Sequence, residues 1–469
     1  MSIHIYNSLT KKKEEFIPLD PAGKKINMYT CGVTVYDDCH IGHARSLYVF
    51  DVIRRYLTHL GYSVNFVRNI TDVDDKIIKK AVELKKSADE VARANITGYY
   101  RDMESLGVEK ANVAEPKATD NIADMVKDIQ GLIDGGYAYE AQGDVYFSVR
   151  KFSKYGKLSG QSVEKMLEAV RIEKDSKKKD PLDFALWKKS KENEPSWDYF
   201  GGGRPGWHIE CSCMSLKYLK CQTLDIHAGG RDLIFPHHEN EIAQAEALSQ
   251  KSFAKYWLHH GLLTINGQKM AKSLGNFITI QDALKKYSAD TLKLFFLFSH
   301  YASDTDFTDK KMNEAAKALD RFDILFWKAY ELIKEQDIVP IQAEFIQVHK
   351  QAFIEAMNDD FNTPKALGAL FDLISATNKF IDEEKSNSHY LGVVYHAVDT
   401  IESFGRGIFG LFTKEVTKEL TPELQSLLDE RKKSRFEKNF KRSDELRDTL
   451  KRNGVAVEDT KDGQTWRWI

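Results

Sequence analysis

Hydrophobic and polar positions along this chain follow two rhythms, one of strands and one of helices, and the rhythm changes several times. Residues 25–30 read as a strand, with a turn expected at Cys31-Gly32. Over residues 45–60 apolar side chains recur at helical spacing. Phe50, Ile53, Leu57 and Leu60 fall on one stripe, and Gly61 is placed to stop the helix. Residues 64–70 return to strand spacing. Strand, helix and strand in that order predict a βαβ unit and the start of a parallel sheet. Such sheets bind ligands beyond the carboxyl ends of their strands.

A second stretch of the same kind comes later. Residues 223–227 form a short predicted strand, Gly229-Gly230 a loop, and Pro236 suits the first turn of a helix running through Glu246. Residues 256–265 return to strand. The texture between the two stretches is charged and mixed, which predicts an insertion. From Lys310 the pattern is wholly helical: Leu319, Phe322, Ile324, Leu325 and Ala329 support one long amphipathic helix, and Pro340 and Pro364 punctuate a bundle. Residues 414–422 read as a linker before a small basic module. The expected fold class is α/β, a parallel-sheet domain with an insertion, followed by an α-helical bundle and a small C-terminal module. The expected divisions are 1–120 and 204–258 for the split sheet domain, 121–203 for the insertion, 259–310, 311–413 and 414–469.

Composition limits the picture more than it fills it. With 68 Lys and Arg against 70 Asp and Glu, the formal charge is -2, so any nucleic-acid site must be a local patch. Hydrophobic content of 42% suffices for buried cores. No run approaches the roughly 18 apolar residues of a membrane span. The N-terminus lacks a signal-peptide pattern, so a cytoplasmic protein is expected. The five cysteines, Cys31, Cys39, Cys211, Cys213 and Cys221, are too few and too scattered for a disulfide framework.

Three groups of residues carry candidate chemistry. His40-Ile41-Gly42-His43 lies between the first strand and first helix, where free N–H groups and the helix dipole favour phosphate. Two imidazoles add donors there, and Gly42 lets a nucleotide ring approach the backbone. The second group is Lys269-Met270-Ala271-Lys272-Ser273, flanked by Asn266-Gly267 and Gly275-Asn276. Two lysines three residues apart on a loop can clamp a triphosphate as charge develops on its leaving group. Alone, the same run reads as a solvated basic turn. The third group is dispersed: His237 and Glu241 share a helix face, and Cys31 and Cys211 could complete a metal site. Spacing alone favours core cysteines and a capping histidine, since no CxxC pair is present. A separate basic run, residues 431–452, holds ten Lys and Arg against four Asp and Glu, close to Trp466, Arg467 and Trp468. It reads as a solvated helix face or as a surface for phosphates and unpaired bases.

These residues resemble the class I aminoacyl-tRNA synthetases and, among them, the cysteinyl-tRNA synthetase family. The HIGH motif is intact at His40–His43, and KMSKS stands as Lys269–Ser273 with Ala271 in the commoner serine's place. More specific are Tyr29-Thr30-Cys31-Gly32, Asn69-Ile70-Thr71-Asp72-Val73-Asp74-Asp75-Lys76, Pro205-Gly206-Trp207-His208-Ile209-Glu210-Cys211 and Phe235-Pro236-His237-His238-Glu239-Asn240-Glu241. The resemblance implies a Rossmann-type catalytic domain and ligation of cysteine to its tRNA at the expense of ATP. It implies His40, Gly42, His43, Lys269 and Lys272 as ATP-binding residues, all but Gly42 also catalytic. It implies one Zn²⁺ per chain on Cys31, Cys211, His237 and Glu241, and Mg²⁺ with the ATP. Cys31, Thr71, Trp207, His227 and Asp232 become pocket residues for L-cysteine. Lys438, Lys441, Arg442, Trp466 and Arg467 become contacts to cysteine tRNA, with residues 259–310 as the KMSKS and stem-contact region and 414–469 as the anticodon module. A monomer with no membrane partner is expected. A ligase passing cysteine to a sugar amine would share the core, but it would not need the basic C-terminal module.

Overall fold

The strand–helix–strand unit read at the start of the chain forms one side of a four-stranded parallel sheet. The computed structural model describes residues 2–162, 177–334, 336–386, 388–412, 420–460 and 463–468, with the side chains at 458, 460, 465, 467 and 468 outside that description. The chain divides into two units, Met1–Asp309 with Ile354–Ala366, and Lys310–Phe353 with Leu367–Ile469.

In the first unit a hairpin of β1 (His4–Asn7) and β2 (Lys12–Glu15) precedes β3 (Lys25–Thr34), α1 (Ile41–His59) and β4 (Ser63–Thr71). The turn expected at Cys31-Gly32 is instead an irregularity inside β3, whose register against β4 shifts between Thr30 and Val33. Gly32 is required there: a Cβ would lie 1.6 Å from the Asn69 carbonyl oxygen. Helix α1 also starts earlier than its apolar stripe suggested. Its first turn is held by a cap as well as by the buried Ile41 and Ala44, because His40 and His43 exchange backbone-to-side-chain hydrogen bonds. Helices α2 (Asp75–Leu84) and α3 (Ala88–Leu106) follow, each with a side-chain N-cap, Asp74 and Ser87.

The insertion begins with α4 (Ile122–Asp134) and an antiparallel sheet of β5 (Ala138–Ala141), β6 (Asp144–Phe147), β7 (Phe184–Lys189) and β8 (Gly203–Pro205). It does not pack as a separate body. Met125, Ile129, Leu132, Phe147 and Trp187 share one hydrophobic core with Cys31, Cys211 and Trp257 of the sheet domain. After the insertion come α5 (Trp207–Leu219), β9 (Leu224–Gly230), α6 (Glu239–Ser249) and β10 (Ala254–His260). The parallel sheet has the order β10-β9-β3-β4. Two expectations need correction here. Gly229 and Gly230 are not a loop but the end of β9, paired with His259 and His260. Pro236 does not open the regular helix: Phe235 is extended, and α6 proper begins at Glu239. The strand expected over residues 256–265 is two strands in different sheets. β11 (Leu263–Ile265) joins β12 (Gln268–Lys269) and, after α7 (Ile280–Lys286) and α8 (Ala289–Leu297), β13 (Thr305–Phe307).

The second unit is helical as expected. α9 (Asp309–Ile333) buries Phe322, Leu325 and Ala329. It is followed by α10 (Glu344–Asn358), α11 (Thr363–Glu383) and α12 (Tyr390–Gly407). Phe353 stacks on Phe404 at 4.2 Å, and Phe322 meets Phe412 at 5.1 Å. The expected linker falls mostly on residues 413–419, outside the described ones, and Pro422 opens α13 (Pro422–Phe436) behind a Thr421 cap. α14 (Phe440–Arg452) and a hairpin of β14 (Val455–Thr460) and β15 (Gly463–Trp468) complete a module with Leu428, Leu450, Val455 and Val457 at its core. Among the described residues no helix is long and apolar enough to cross a membrane.

Candidate active site and metal centre

Sheet topology brings together residues that lie up to 210 positions apart. Cys31 sits near the end of β3, Cys211 on α5, His227 on β9, His237 just before α6 and Glu241 in its first turn. Cys31 Sγ lies 3.8 Å from Cys211 Sγ and 3.5 Å from Glu241 Oε1, and His237 Nε2 lies 3.0 Å from Glu241 Oε1. Donor atoms of Cys31, Cys211, His237 and Glu241 all fall within 4.8 Å of one another. Two sulfurs, one imidazole and one carboxylate suit a borderline-soft divalent cation.

The protonation pattern fits that reading. Burial pushes the Cys31 thiol well above its ordinary range, as does the hydrogen bond it donates to Cys211. Burial also acts against the Cys211 thiolate, but the bonds from Cys31 and His237 outweigh it and bring Cys211 down to about 6. At His237 burial opposes the charge, and Glu241 and Cys211 overcome it to lift the ring to about 10. Glu241 lies well below its usual range against its own desolvation, held there by His227 and His237. The metal-free group therefore holds protons on Cys31 and His237 that a divalent cation would displace.

The residues expected to shape a cysteine pocket differ in how they relate to this group. His227 is fully buried, stacks on Trp257 at 4.3 Å, and engages the second oxygen of Glu241 at 2.7 Å. Trp207 is 36% exposed, and its ring stacks on His237 at 4.1 Å, so it is not core packing. Thr71, at the end of β4, donates to Glu210 at 2.7 Å. Asp232 is exposed on the turn Arg231–Leu233 after β9. Cys213, two residues beyond Cys211, engages Asp128 of α4 and does not join the group. Cys39 and Cys221 also stay apart from it.

Sequence reasoning missed part of this cluster. His238 Nε2 is 3.3 Å from Cys31 Sγ, and Cys31, His227, His238 and Glu241 form a second donor set within the same limit. The signal was present in the spacing, since His238 and Glu241 are three apart and so share a helix face. His208 was also passed over: its Nδ1 meets His237 Nδ1 at 2.8 Å. Such a bond orients a ligating imidazole.

The phosphate-type loops form a second focus. His40 Nδ1 accepts from His43 N, and His43 Nδ1 accepts from His40 N. A neutral imidazole that accepts at Nδ1 carries its proton on Nε2, so each ring keeps one donor free. The rings stack at 3.7 Å. Burial lowers the His40 ring to about 4, and burial followed by the neighbouring charges of His40 and Lys76 keeps His43 well below its ordinary value. Gly42 is needed beneath them, since a Cβ would sit 2.9 Å from the His40 ring. Lys269 ends β12 and is exposed. Ala271 N donates to Asn276 Oδ1 at 2.8 Å, and Lys272 pairs with Asp37. Because its folded value lies below the unfolded one, His40 should stay neutral near neutrality and lose its stabilising contribution only as pH falls from about 6.5 toward 4. In histidine-labelled NMR spectra its resonances should not titrate between about pH 8 and 5.5; a midpoint near 6.5 would contradict the lowering of the ring by burial.

Comparison with known proteins gives these loops and clusters a family. The model for the tRNA synthetases class I (C) catalytic domain matches residues 18–317, the DALR domain 352–413, and the cysteinyl-tRNA ligase anticodon binding domain 417–467. The cysteine--tRNA ligase of Persephonella marina is 48% identical over 493 residues, covering 100% of both chains. The chain belongs to the cysteinyl-tRNA synthetase family. The cysteine--tRNA ligase of Aquifex aeolicus is 46% identical, covering 100% of this chain and 99% of that one. Among solved structures, a Mycobacterium tuberculosis methionyl-tRNA synthetase in complex with methionyl-adenylate has a TM-score of 0.66 at 15% identity, covering 83% of this chain and 92% of that one. That likeness concerns the class I fold alone.

The C-terminal module of this synthetase is pinned by Arg431, which is fully buried and pairs with Asp459 at 3.0 Å. Trp466 is half-buried against the module's apolar core. The Arg467 side chain lies outside the described residues. Arg442 bridges Glu430 and Glu445 at 2.8 and 3.4 Å. Lys438 and Lys441 stand exposed near the α13–α14 turn, with Phe436 91% and Phe440 58% exposed beside them.

Proposed function

We propose that this chain activates L-cysteine with ATP, releasing pyrophosphate, and passes the cysteinyl group to the 3′-terminal adenosine of cysteine tRNA, at its 2′-OH as in class I. The observation that carries the reading is the four-donor cluster of Cys31, Cys211, His237 and Glu241 in the same unit as the HIGH and KMSKS loops. In this reading the cluster holds one Zn²⁺, favoured over the second donor set because it offers two sulfurs instead of one. Bound there, zinc supplies a ligand position that takes a thiolate far better than a serine hydroxyl. His227 holds the second oxygen of Glu241, which leaves the first for the metal.

The attacking carboxylate of cysteine is ionised already, so the first step needs no general base. Catalysis then rests on positioning and charge stabilisation. The free Nε2–H groups of His40 and His43 donate to the phosphates without carrying charge. Lys269 and Lys272 stabilise the reacting phosphates and the departing pyrophosphate, and Mg²⁺ accompanies the ATP. Thr71, Trp207, His227 and Asp232 shape the cysteine pocket. Cytoplasmic location and a monomeric state belong to the same reading.

The C-terminal module reads the anticodon loop through Lys438 and Lys441 on phosphates and Phe436 and Phe440 on unpaired bases. Arg442 belongs to the contact surface too, but its bridge to Glu430 makes it a poor probe of RNA binding alone. Lys438→Gln with Lys441→Gln is therefore expected to weaken tRNA binding and lower the slope of log K against log salt by about 1 to 2. Adenylate formation should not change. An unaltered slope would reduce the basic run to a solvated face.

The whole reading is tested by supplying the purified chain with ATP, cysteine and either cysteine tRNA or a sugar amine. Cysteinyl-tRNA is the expected product. Transfer to the sugar amine with no charging of tRNA would overturn the assigned acceptor.

A further inference from the structure

The HIGH and KMSKS loops are joined to each other at three places, and one of them is a carboxylate with no part in the reading above. The segment after the lysine loop pairs with the HIGH loop through Ile41 N to Ile278 O at 3.1 Å and Ile280 N to Cys39 O at 2.9 Å. The buried Arg45 guanidinium donates to the carbonyls of Gly261, Leu262, Tyr301 and Ser303, which ties α1 to the root of the β11–β12 hairpin. Between these anchors lies Lys272, whose side chain is 51% exposed. Its ammonium pairs with Asp37, three residues before His40, and lies 4.9 Å over the Phe277 ring. The same Asp37 oxygen accepts Lys80 of α2 at 3.2 Å. The other oxygen of Asp37 accepts Asp38 N at 3.0 Å.

We propose that Asp37 is a positioning residue for adenylate formation, holding the Lys272 ammonium beside His40 before the triphosphate arrives. The inference rests on the reading of Lys272 given above. A half-exposed lysine has four rotatable bonds, and unrestrained it would have to be ordered as the transition state forms. Ordering it in advance is worth about one decade of rate or slightly more. An ammonium carries three N–H donors, so one stays on Asp37 while the others face phosphate. Lys80 shares the Asp37 charge, so the carboxylate does not confront the incoming anion alone. Burial would raise the Asp37 carboxyl, but Lys272, the Asp38 N–H and Lys80 outweigh it and keep it below its ordinary value.

Asp37→Asn is nearly isosteric, keeps an oxygen for the Asp38 N–H and removes the charge. Single-turnover adenylate formation at saturating ATP should slow about 10- to 30-fold, while the ATP dissociation constant stays within about threefold. In a Lys272→Ala background the same change should have no further effect, because Asp37 acts through Lys272. A purely structural role would give the same loss in both backgrounds and would overturn the proposal. So would faster chemistry with tighter ATP binding, the outcome for a lock that ATP must break. An inert Asp37→Asn beside a slow Lys272→Ala overturns Asp37 alone. A fully active Lys272→Ala overturns the reading of the lysine, and Asp37 with it.

Discussion

Lys272→Ala is expected to slow adenylate formation by about a hundred- to a thousand-fold while cysteine binding stays near normal. The ammonium is needed when negative charge moves onto the departing pyrophosphate, so its loss should appear in the chemical step and not in the ground state. Half of the side chain faces solvent, and its partners are the Asp37 carboxylate and the Phe277 ring, so truncation leaves no core cavity to confuse the result. Lys269 cannot replace it, because that residue ends β12 on the other leg of the loop. Pre-steady-state pyrophosphate release measures the step directly. A rate equal to that of the unaltered chain would remove Lys272 from the mechanism.

Cys211→Ser is the other large effect. One tightly bound zinc per chain is expected before the change, with affinity at least about 100-fold weaker after it. The serine hydroxyl does not ionise near neutrality, whereas the Cys211 thiol is held at about 6 by Cys31 and His237 against its burial. Cysteine affinity should fall with the zinc. ATP binding should survive, because the phosphate donors on His40 and His43 have no hydrogen bond to the cluster. Cys213→Ser, two residues along the same helix and so on another face, should change neither, since Cys213 engages Asp128 on the insertion side. Metal analysis of dialysed protein decides the case. Full zinc retention by Cys211→Ser would contradict the donor set.

How much of this was legible in the sequence depended on whether the information was local. The β3–α1–β4 unit declared itself through strand and helix spacing, and both signature loops are contiguous strings. The metal set is of another kind. Cys31 and Cys211 are 180 residues apart and meet only because β3 and α5 pack in one core, so spacing alone could not group them and the family resemblance was what named them together. The first turn of α1 was missed because its buried Ile41 and Ala44 stand among residues of the HIGH motif, whose two histidines cap the helix and read as a loop. The insertion was legible as an insertion from its charged, mixed texture, but its union with the sheet core was not, because Met125, Ile129 and Leu132, which tie it there, are few among many polar neighbours. Asp37 was invisible as a partner for Lys272 because 235 residues separate them.

The central claim is that the two-sulfur cluster meets the substrate's own sulfur, and a cobalt-substituted protein tests it most directly. With Co²⁺ in place of zinc, titration with cysteine should add a sulfur-to-cobalt charge-transfer band beyond those from Cys31 and Cys211, and serine should add none. Cys213→Ser should show the same response. A purely structural metal would leave the spectrum unchanged on adding cysteine, and that result would contradict the account.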